Sequence, residues 1–267
     1  MSVKKEASGR KSVQVHVEVP GTPEEVWRAI ATGPGISSWF APSKVEERAG
    51  GAVDHHFGGG MESHGTVTVW EPPLRFSYEE REWAPGAPPL GTEIVVESRA
   101  GGACVVRLVQ SLFASGDEWD EQMEGFESGW PPFFDVLRLY LSHFRGQPCS
   151  PIRLMGQVPG PLSAAWDNVR NSLGLMDATK GQHRDSGGTG APRLAGTVER
   201  TGPEKHPTEL LLRLDEPSAG LALVGVWDFG GQMFVLFSLY WYGERAANAA
   251  KDKPKWESWL NKLSSAG

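Results

Sequence analysis

The feature that most constrains this chain is an internal echo. Val19-Pro20-Gly21 is followed by Trp27, and Val158-Pro159-Gly160 is followed at the same spacing by Trp166. Short apolar or β-branched runs, Val13 to Val19 and Ile152 to Val158, precede the two motifs, and helical patterns, Thr22–Ala31 and Leu162–Leu173, follow them. Gly65-Thr66-Val67 returns as Gly196-Thr197-Val198, and each half closes on a Trp-bearing amphipathic pattern, around Trp130–Phe144 and Trp256–Leu263. The offset between the halves shrinks along the chain from 139 to 131 to 126 residues, so the second half is the shorter version. A period this long predicts tandem domains and not a solenoid of small repeats.

The first half shows the pattern more clearly. Val13, Val15, Val17 and Val19 alternate with polar residues, which predicts a half-buried strand over Ser12–Val19. Thr22-Pro23-Glu24-Glu25 reads as a helix start, with Thr as N-cap, Pro in the first turn and acids at the positive end of the dipole. Gly33-Pro34-Gly35 is expected to stop that helix, with a second helical turn over Ile36–Phe40. Strands are then expected over Lys44–Arg48, Ala52–Phe57, Gly65–Glu71, Arg75–Trp83, Thr92–Ser98 and Cys104–Ser111, separated by Gly and Pro turn signals in the manner of an antiparallel meander. Asp117–Phe126 reads as an acidic helix broken by Gly129 and Pro131-Pro132, after which Trp130, Phe133, Phe134, Leu137, Leu141 and Phe144 form one apolar stripe of a longer helix. In the second half, strands are expected over Leu194–Arg200, Thr208–Asp215, Gly220–Asp228 and Gln232–Tyr242, and Gly174–Pro192 reads as a mobile loop. The division expected is a disordered tail over residues 1–11, a first domain over 12–147 and a second over 151–265.

Composition narrows the class of function. The 267 residues carry a net charge of −7. Residues 1–150 hold 21 acids and 13 bases, or −8, and the remainder 12 acids and 13 bases, or +1. Neither half offers the basic surface that phosphate backbones need, so no nucleic-acid partner is expected. No apolar run approaches membrane-spanning length, and Met1–Lys11 is short, polar and basic, unlike a signal peptide or an anchor. With only Cys104 and Cys149, free thiols and a cytoplasmic location are the expectation. Eleven Trp and eleven Phe are a heavy aromatic load, suited to cores and to apolar pockets alike.

The motifs Val17–Trp27, Ser38-Trp39-Phe40, Gly65-Thr66-Val67 with Pro72-Pro73, and Gly129-Trp130 followed by the apolar helix through Tyr140-Leu141 occur in an order that resembles the START-like (SRPBCC) superfamily. The branch it is most similar to takes its name from the activator of a heat-shock-protein ATPase. The match spans about residues 12–145, and the second half shares only its opening, its Gly196-Thr197-Val198 and its closing Trp-rich helix. The resemblance implies an α+β architecture of tandem helix-grip domains, each a curved antiparallel sheet wrapped around a long C-terminal helix. It also implies a hydrophobic small-molecule ligand, with Trp39, Phe40, Trp130, Phe133, Phe134, Leu137 and Leu141 serving both core and ligand contact. The superfamily holds carriers, cyclases, hydrolases and co-chaperone-like proteins, so two further functions stay open. One is a cyclase- or hydrolase-type enzyme of natural-product metabolism, using a polar pair inside the domain. The other is a chaperone-activator-like interaction module.

No catalytic constellation, phosphate loop or dinucleotide fingerprint is present. His64, Tyr78 and Arg81 are the candidates for proton transfer or for orienting a ligand carbonyl. Parity along Arg75–Trp83 puts Phe76, Tyr78 and Glu80 on one face and Glu79 and Arg81 on the other, and leaves open which face meets the helix. Asp54, His55, His56 and His64 match no zinc spacing, and neighbours on a strand point to opposite faces, so neither a metal nor a cofactor is expected. The acidic stretch 117–127 reads as a solvated helix face, with a docking surface for a basic protein partner as the alternative.

Overall fold

The computed structural model describes residues 3–187 and 190–265. It divides into two compact units. The first comprises the chain up to His56 together with Met61–Arg145, and the second comprises Phe57–Gly60 with the chain from Gly146 onward.

In the first unit, β1 (Lys4–Lys5) pairs antiparallel with β2 (Arg10–Pro20). Helices α1 (Pro23–Ala31) and α2 (Gly33–Ser37) follow. The sheet then continues as β3 (Ser43–Val45), β4 (Ala52–Gly58), β5 (Met61–Glu71), β6 (Arg75–Glu80), β7 (Leu90–Arg99) and β8 (Ala103–Phe113), and α3 (Asp120–His143) closes the unit. The strand order is β1-β2-β8-β7-β6-β5-β4-β3, so the unit's first long strand lies beside its last. Alternation decides the faces. Cys104, Val106, Leu108, Gln110 and Leu112 of β8 point inward and are buried, as are Leu90, Thr92, Ile94 and Val96 of β7. The long helix packs on β2, and burying Trp130, Phe133, Phe134, Leu137 and Leu141 stabilises that contact by about 1.5–3 kcal/mol per aliphatic or aromatic side chain.

Local chemistry explains the helix starts. Thr22 accepts from the Glu25 backbone N–H at 3.3 Å while Glu25 Oε2 accepts from the Thr22 N–H at 2.9 Å, a reciprocal cap on α1. α1 ends at Ala31, just before Gly33-Pro34-Gly35 as expected, and the same segment also begins α2, because Thr32 Oγ1 accepts from the Gly35 N–H at 3.1 Å and Pro34 occupies the first turn, where no N–H is needed. A side chain at position 35 would place its Cβ 1.9 Å from the Arg28 carbonyl oxygen, so only glycine allows the two helices to meet this closely.

Two expectations need correction. Residues 1–11 were assigned to a disordered tail. Met1 and Ser2 lie outside the described residues, but Lys4–Lys5 form β1, and the buried Lys11 binds Asp120 at 2.6 Å while Lys5 binds Asp117 at 2.7 Å and Asp120 at 2.5 Å. Lysines that read as a solvated basic tail thus neutralise the start of α3. The other correction concerns α3 itself, which runs unbroken through Pro131 and Pro132. Prolines remove two intrahelical donors, but Ser128 is exposed and Glu127 only half-buried, so their carbonyls lie at the solvent-facing side of the helix, where an interrupted ladder is tolerated.

The second unit repeats the order strand, helix, meander, helix. It consists of β9 (Cys149–Val158), α4 (Leu162–Ser172), β10 (His183–Asp185), β11 (Ala195–Thr201), β12 (Glu209–Glu216), β13 (Gly220–Phe229), β14 (Gln232–Tyr242), a short α5 (Ala246–Ala249) and α6 (Lys253–Ser265). Its sheet order is β10-β11-β12-β13-β14-β9, again with first strand beside last. Trp166 of α4 and Trp256 and Trp259 of α6 enter one core with Ile152, Phe237 and Leu239. The segment 174–192, expected to be a mobile loop, contains β10, paired with β11 from His183↔Thr197 to Asp185↔Ala195, while Gly188 and Thr189 lie outside the described residues.

Candidate functional site

The inner face of the first sheet carries polar residues in an apolar setting. Tyr78 on β6, Thr92 on β7 and Gln110 on β8 stand directly opposite one another in register, Tyr78↔Thr92 and Thr92↔Gln110. All three are buried, at 5%, 1% and 5% exposure. Gln110 Nε2 donates to Thr92 Oγ1 at 3.4 Å, and Trp130 on α3 donates its indole N–H to Gln110 Oε1 at 2.8 Å. A polar row therefore crosses three strands and reaches the helix. Buried polar atoms must be paired to be tolerated, and the Gln110 amide is bonded at both ends.

A second polar group sits two strands beyond Tyr78, across β5. His55 of β4 is buried at 3% exposure, and its Nδ1 lies 2.7 Å from Ser43 Oγ. The His55 and Tyr78 rings meet edge to face at 5.6 Å between centroids. They reach each other over Gly65 of the intervening strand, where a Cβ would come within 3.2 Å of Tyr78 Cδ2 and 3.1 Å of the Glu79 carbonyl oxygen. Burial pushes His55 down to about 4, so the imidazole is neutral at physiological pH. Two residues along β6 from Tyr78, the buried Glu80 accepts a hydrogen bond from the Ser63 hydroxyl. Burial raises the Glu80 carboxyl pKa, with the Ser63 bond opposing, and burial likewise raises that of the Tyr78 phenol.

Aromatic rings cover this polar patch. Phe40, just after α2, stacks on Trp130 at 4.9 Å, meets Phe133 edge-on at 5.1 Å and touches the His55 ring at 5.7 Å. Trp39 lies 6.3 Å from Phe134 and 6.5 Å from Trp130, and its indole N–H is held by the Ala29 carbonyl at 2.9 Å. Phe40 alone of this group is only half-buried. Leu137 and Leu141 continue the buried stripe of α3.

The structure therefore brings Trp39, Phe40, Trp130, Phe133 and Phe134 into one aromatic cluster. Tyr78 faces inward beside them. His64 and Arg81 do not join it. His64 is on the outer face, exposed and bonded to Asp54 Oδ1 at 2.7 Å, and Arg81 is exposed beside Glu79 at 2.9 Å. The side chain paired with Tyr78 is instead His55, one strand residue away from the outward His56. Sequence reasoning also passed over Thr92 and Gln110. The signal was present, since each is a lone polar residue at an inward position of an otherwise apolar alternation. Among the described residues no group of three or more His, Cys, Asp or Glu side chains is placed to hold a metal ion. Cys104 is buried, with its thiol on the Gly21 carbonyl at 3.3 Å.

An antiparallel meander whose first strand pairs with its last, closed by a long helix lying on the sheet, defines the helix-grip class of α+β domain. Residues 20–142 form an AHSA1-like domain, matching the family model described as "Activator of Hsp90 ATPase homolog 1-like protein". No curated protein matches the chain. Among solved structures it is similar to DynU16, described as a protein of the dynemicin biosynthetic locus, at 17% identity over 95% of this chain and 97% of that one, with a TM-score of 0.45. It is also similar to CalU16 from Micromonospora echinospora, at 21% identity over 49% of this chain and 74% of that one, TM-score 0.41. A third likeness is the Aha1 dimer from Colwellia psychrerythraea, at 17% identity over 49% and 96%, TM-score 0.41. No helix is long and apolar enough to cross a membrane, among the described residues.

Proposed function

We propose that the first unit binds a hydrophobic small molecule between the inner face of its sheet and α3. The observation that carries this is the composition of that interior. Five aromatic rings, Trp39, Phe40, Trp130, Phe133 and Phe134, form one cluster that meets buried polar groups of the sheet, Phe40 on His55 of β4 and Trp130 on Gln110 of β8, the latter in one row with Thr92 and Tyr78. Mostly apolar linings with few, fixed polar groups are characteristic of small-molecule sites. The half-buried Phe40 would form the entrance, and Leu137 and Leu141 the floor.

A second reading, small-molecule catalysis, is favoured by one further observation. His55, kept neutral by burial, and the buried Glu80, its pKa raised by burial, lie on the same inner face as the Tyr78 phenol. That combination sets an imidazole, a carboxyl group and a phenol on one face in an apolar setting, the kind of grouping from which acid–base chemistry is built. Binding comes first in either reading. The test is titration of the purified chain with naphthalene and 1-naphthol, followed by native mass spectrometry and by quenching of tryptophan emission. One saturable site is expected, weakened at least tenfold by Phe40→Ala with an unchanged far-UV spectrum. Absence of saturable uptake, or uptake indifferent to Phe40→Ala and Phe133→Ala, overturns the proposal.

A further inference from the structure

The polar row has a direction, and the direction specifies what the ligand must carry. Indole N–H can only donate. Trp130 therefore fixes Gln110 with Oε1 toward α3 and Nε2 toward β7, at 2.8 and 3.4 Å. Thr92 Oγ1 accepts from Gln110, and Tyr78 stands directly opposite Thr92 in register. The bonds from Trp130 through Gln110 to Thr92 run one way, each polarising the next, and the phenol of Tyr78 at the end of the row carries a proton to donate.

The neighbouring imidazole is fixed in the opposite sense. Ser43 Oγ lies 2.7 Å from the Ala41 carbonyl, to which it donates, and 2.7 Å from His55 Nδ1, an arrangement that suits a ring proton on Nδ1. With the proton of the neutral ring there, Nε2 carries the lone pair. The interior accordingly presents a donor and an acceptor on two rings whose centroids lie 5.6 Å apart, with the His55 ring also against Phe40.

We infer that the ligand is an apolar molecule bearing a hydroxyl group, and that His55 Nε2 accepts the hydroxyl proton while the Tyr78 hydroxyl donates to its oxygen. A hydroxyl is the smallest group that serves both partners at once. An ether or ketone satisfies Tyr78 alone, and a hydrocarbon satisfies neither. The inference rests on the first unit's interior being the ligand site, as proposed above.

The experiment compares three probes of nearly equal shape, namely 1-naphthol, 1-methoxynaphthalene and naphthalene. For the unaltered chain, 1-naphthol is expected to bind about five- to tenfold more tightly than 1-methoxynaphthalene, the size of one net hydrogen bond. His55→Leu is expected to abolish that preference while leaving naphthalene affinity within twofold. Tyr78→Phe is expected to abolish the smaller preference for 1-methoxynaphthalene over naphthalene. A measurement that needs no variant accompanies it. Nitrogen NMR of the imidazole is expected to show Nδ1 protonated in the free chain, with the Nε2 resonance shifting on addition of 1-naphthol and not of naphthalene. Equal affinity for all three probes, or a proton on Nε2, overturns this inference and leaves the ligand site standing. Failure of all three to bind overturns the site itself.

Discussion

Trp130 on α3 and Gln110 on β8 share the one hydrogen bond that ties the polar row to the helix, indole N–H to amide oxygen at 2.8 Å, with both side chains buried. The bond sets helix and sheet in one rotational relation and fixes the orientation of an amide that otherwise has two. Gln110→Leu leaves the indole donor buried without its acceptor and is expected to cost about 1–3 kcal/mol. The double variant with Trp130→Phe should recover part of that loss, so chemical denaturation of the two singles and the double gives the coupling directly.

His55 makes stability depend on acid. Its folded value of about 4 lies below the ordinary histidine value of 6.5. The unfolded chain therefore binds the extra proton first as the pH falls, and the stability that neutral burial contributes is present above about 6.5 and lost progressively toward 4. The full loss is on the order of 3 kcal/mol. Glu80 acts in the opposite sense, because its folded value is raised above 4.5 and its contribution fades as the pH rises above that value. Between pH 6.5 and 4.5 the stability of the native sequence minus that of His55→Gln is expected to shrink with acid, whereas the same difference for Glu80→Gln is expected to grow. Urea titrations at four pH values would show it. Parallel curves for either variant would refute the assignment for that residue.

Gly65 holds open the gap through which Tyr78 meets His55. Gly65→Ala sets a methyl 3.2 Å from Tyr78 Cδ2 and 3.1 Å from a backbone oxygen, so the ring must yield. The expected cost is about 1–3 kcal/mol in thermal or chemical unfolding. Discrimination between 1-naphthol and 1-methoxynaphthalene should weaken even though no hydrogen-bonding group has been removed.

Pro131 interrupts the hydrogen-bond ladder of a helix that continues regardless. Pro131→Ala restores an amide donor where the helical backbone already exists, and is expected to stabilise the first unit by about 1–2 kcal/mol. Slower amide exchange between Gly125 and Phe134 would locate the gain. A loss of stability would mean that the ring's packing outweighs the missing bond.

Elements with a strict period were legible from sequence. The alternation of Val13 to Val19 and the stripe from Trp130 to Phe144 correspond to β2 and to the buried side of α3. Thr22 was recognisable as a cap because capping is local chemistry. What escaped depends on partners distant in sequence. Lys11 reads as part of a solvated basic stretch until Asp120, 109 residues away, is brought to it. Gly33-Pro34-Gly35 carries a stop signal and a start signal at once, and both operate, with Thr32 capping the second helix. At the site, parity sorted Tyr78 from Arg81 but could not say which was inside. His64 looked more promising than His55 because only register across β4, β5 and β6 shows which of them faces Tyr78.

Each unit begins with the strand that its last strand must find, β2 with β8 and β9 with β14. During synthesis the ribosome must therefore deliver the chain to about Phe113 before the first sheet can close, and until then β2 waits with an unsatisfied edge. Such long-range closure slows folding and leaves adhesive intermediates, so a cell producing this chain in quantity would gain more from slower translation or from a holding chaperone than from any extra strength in its cores.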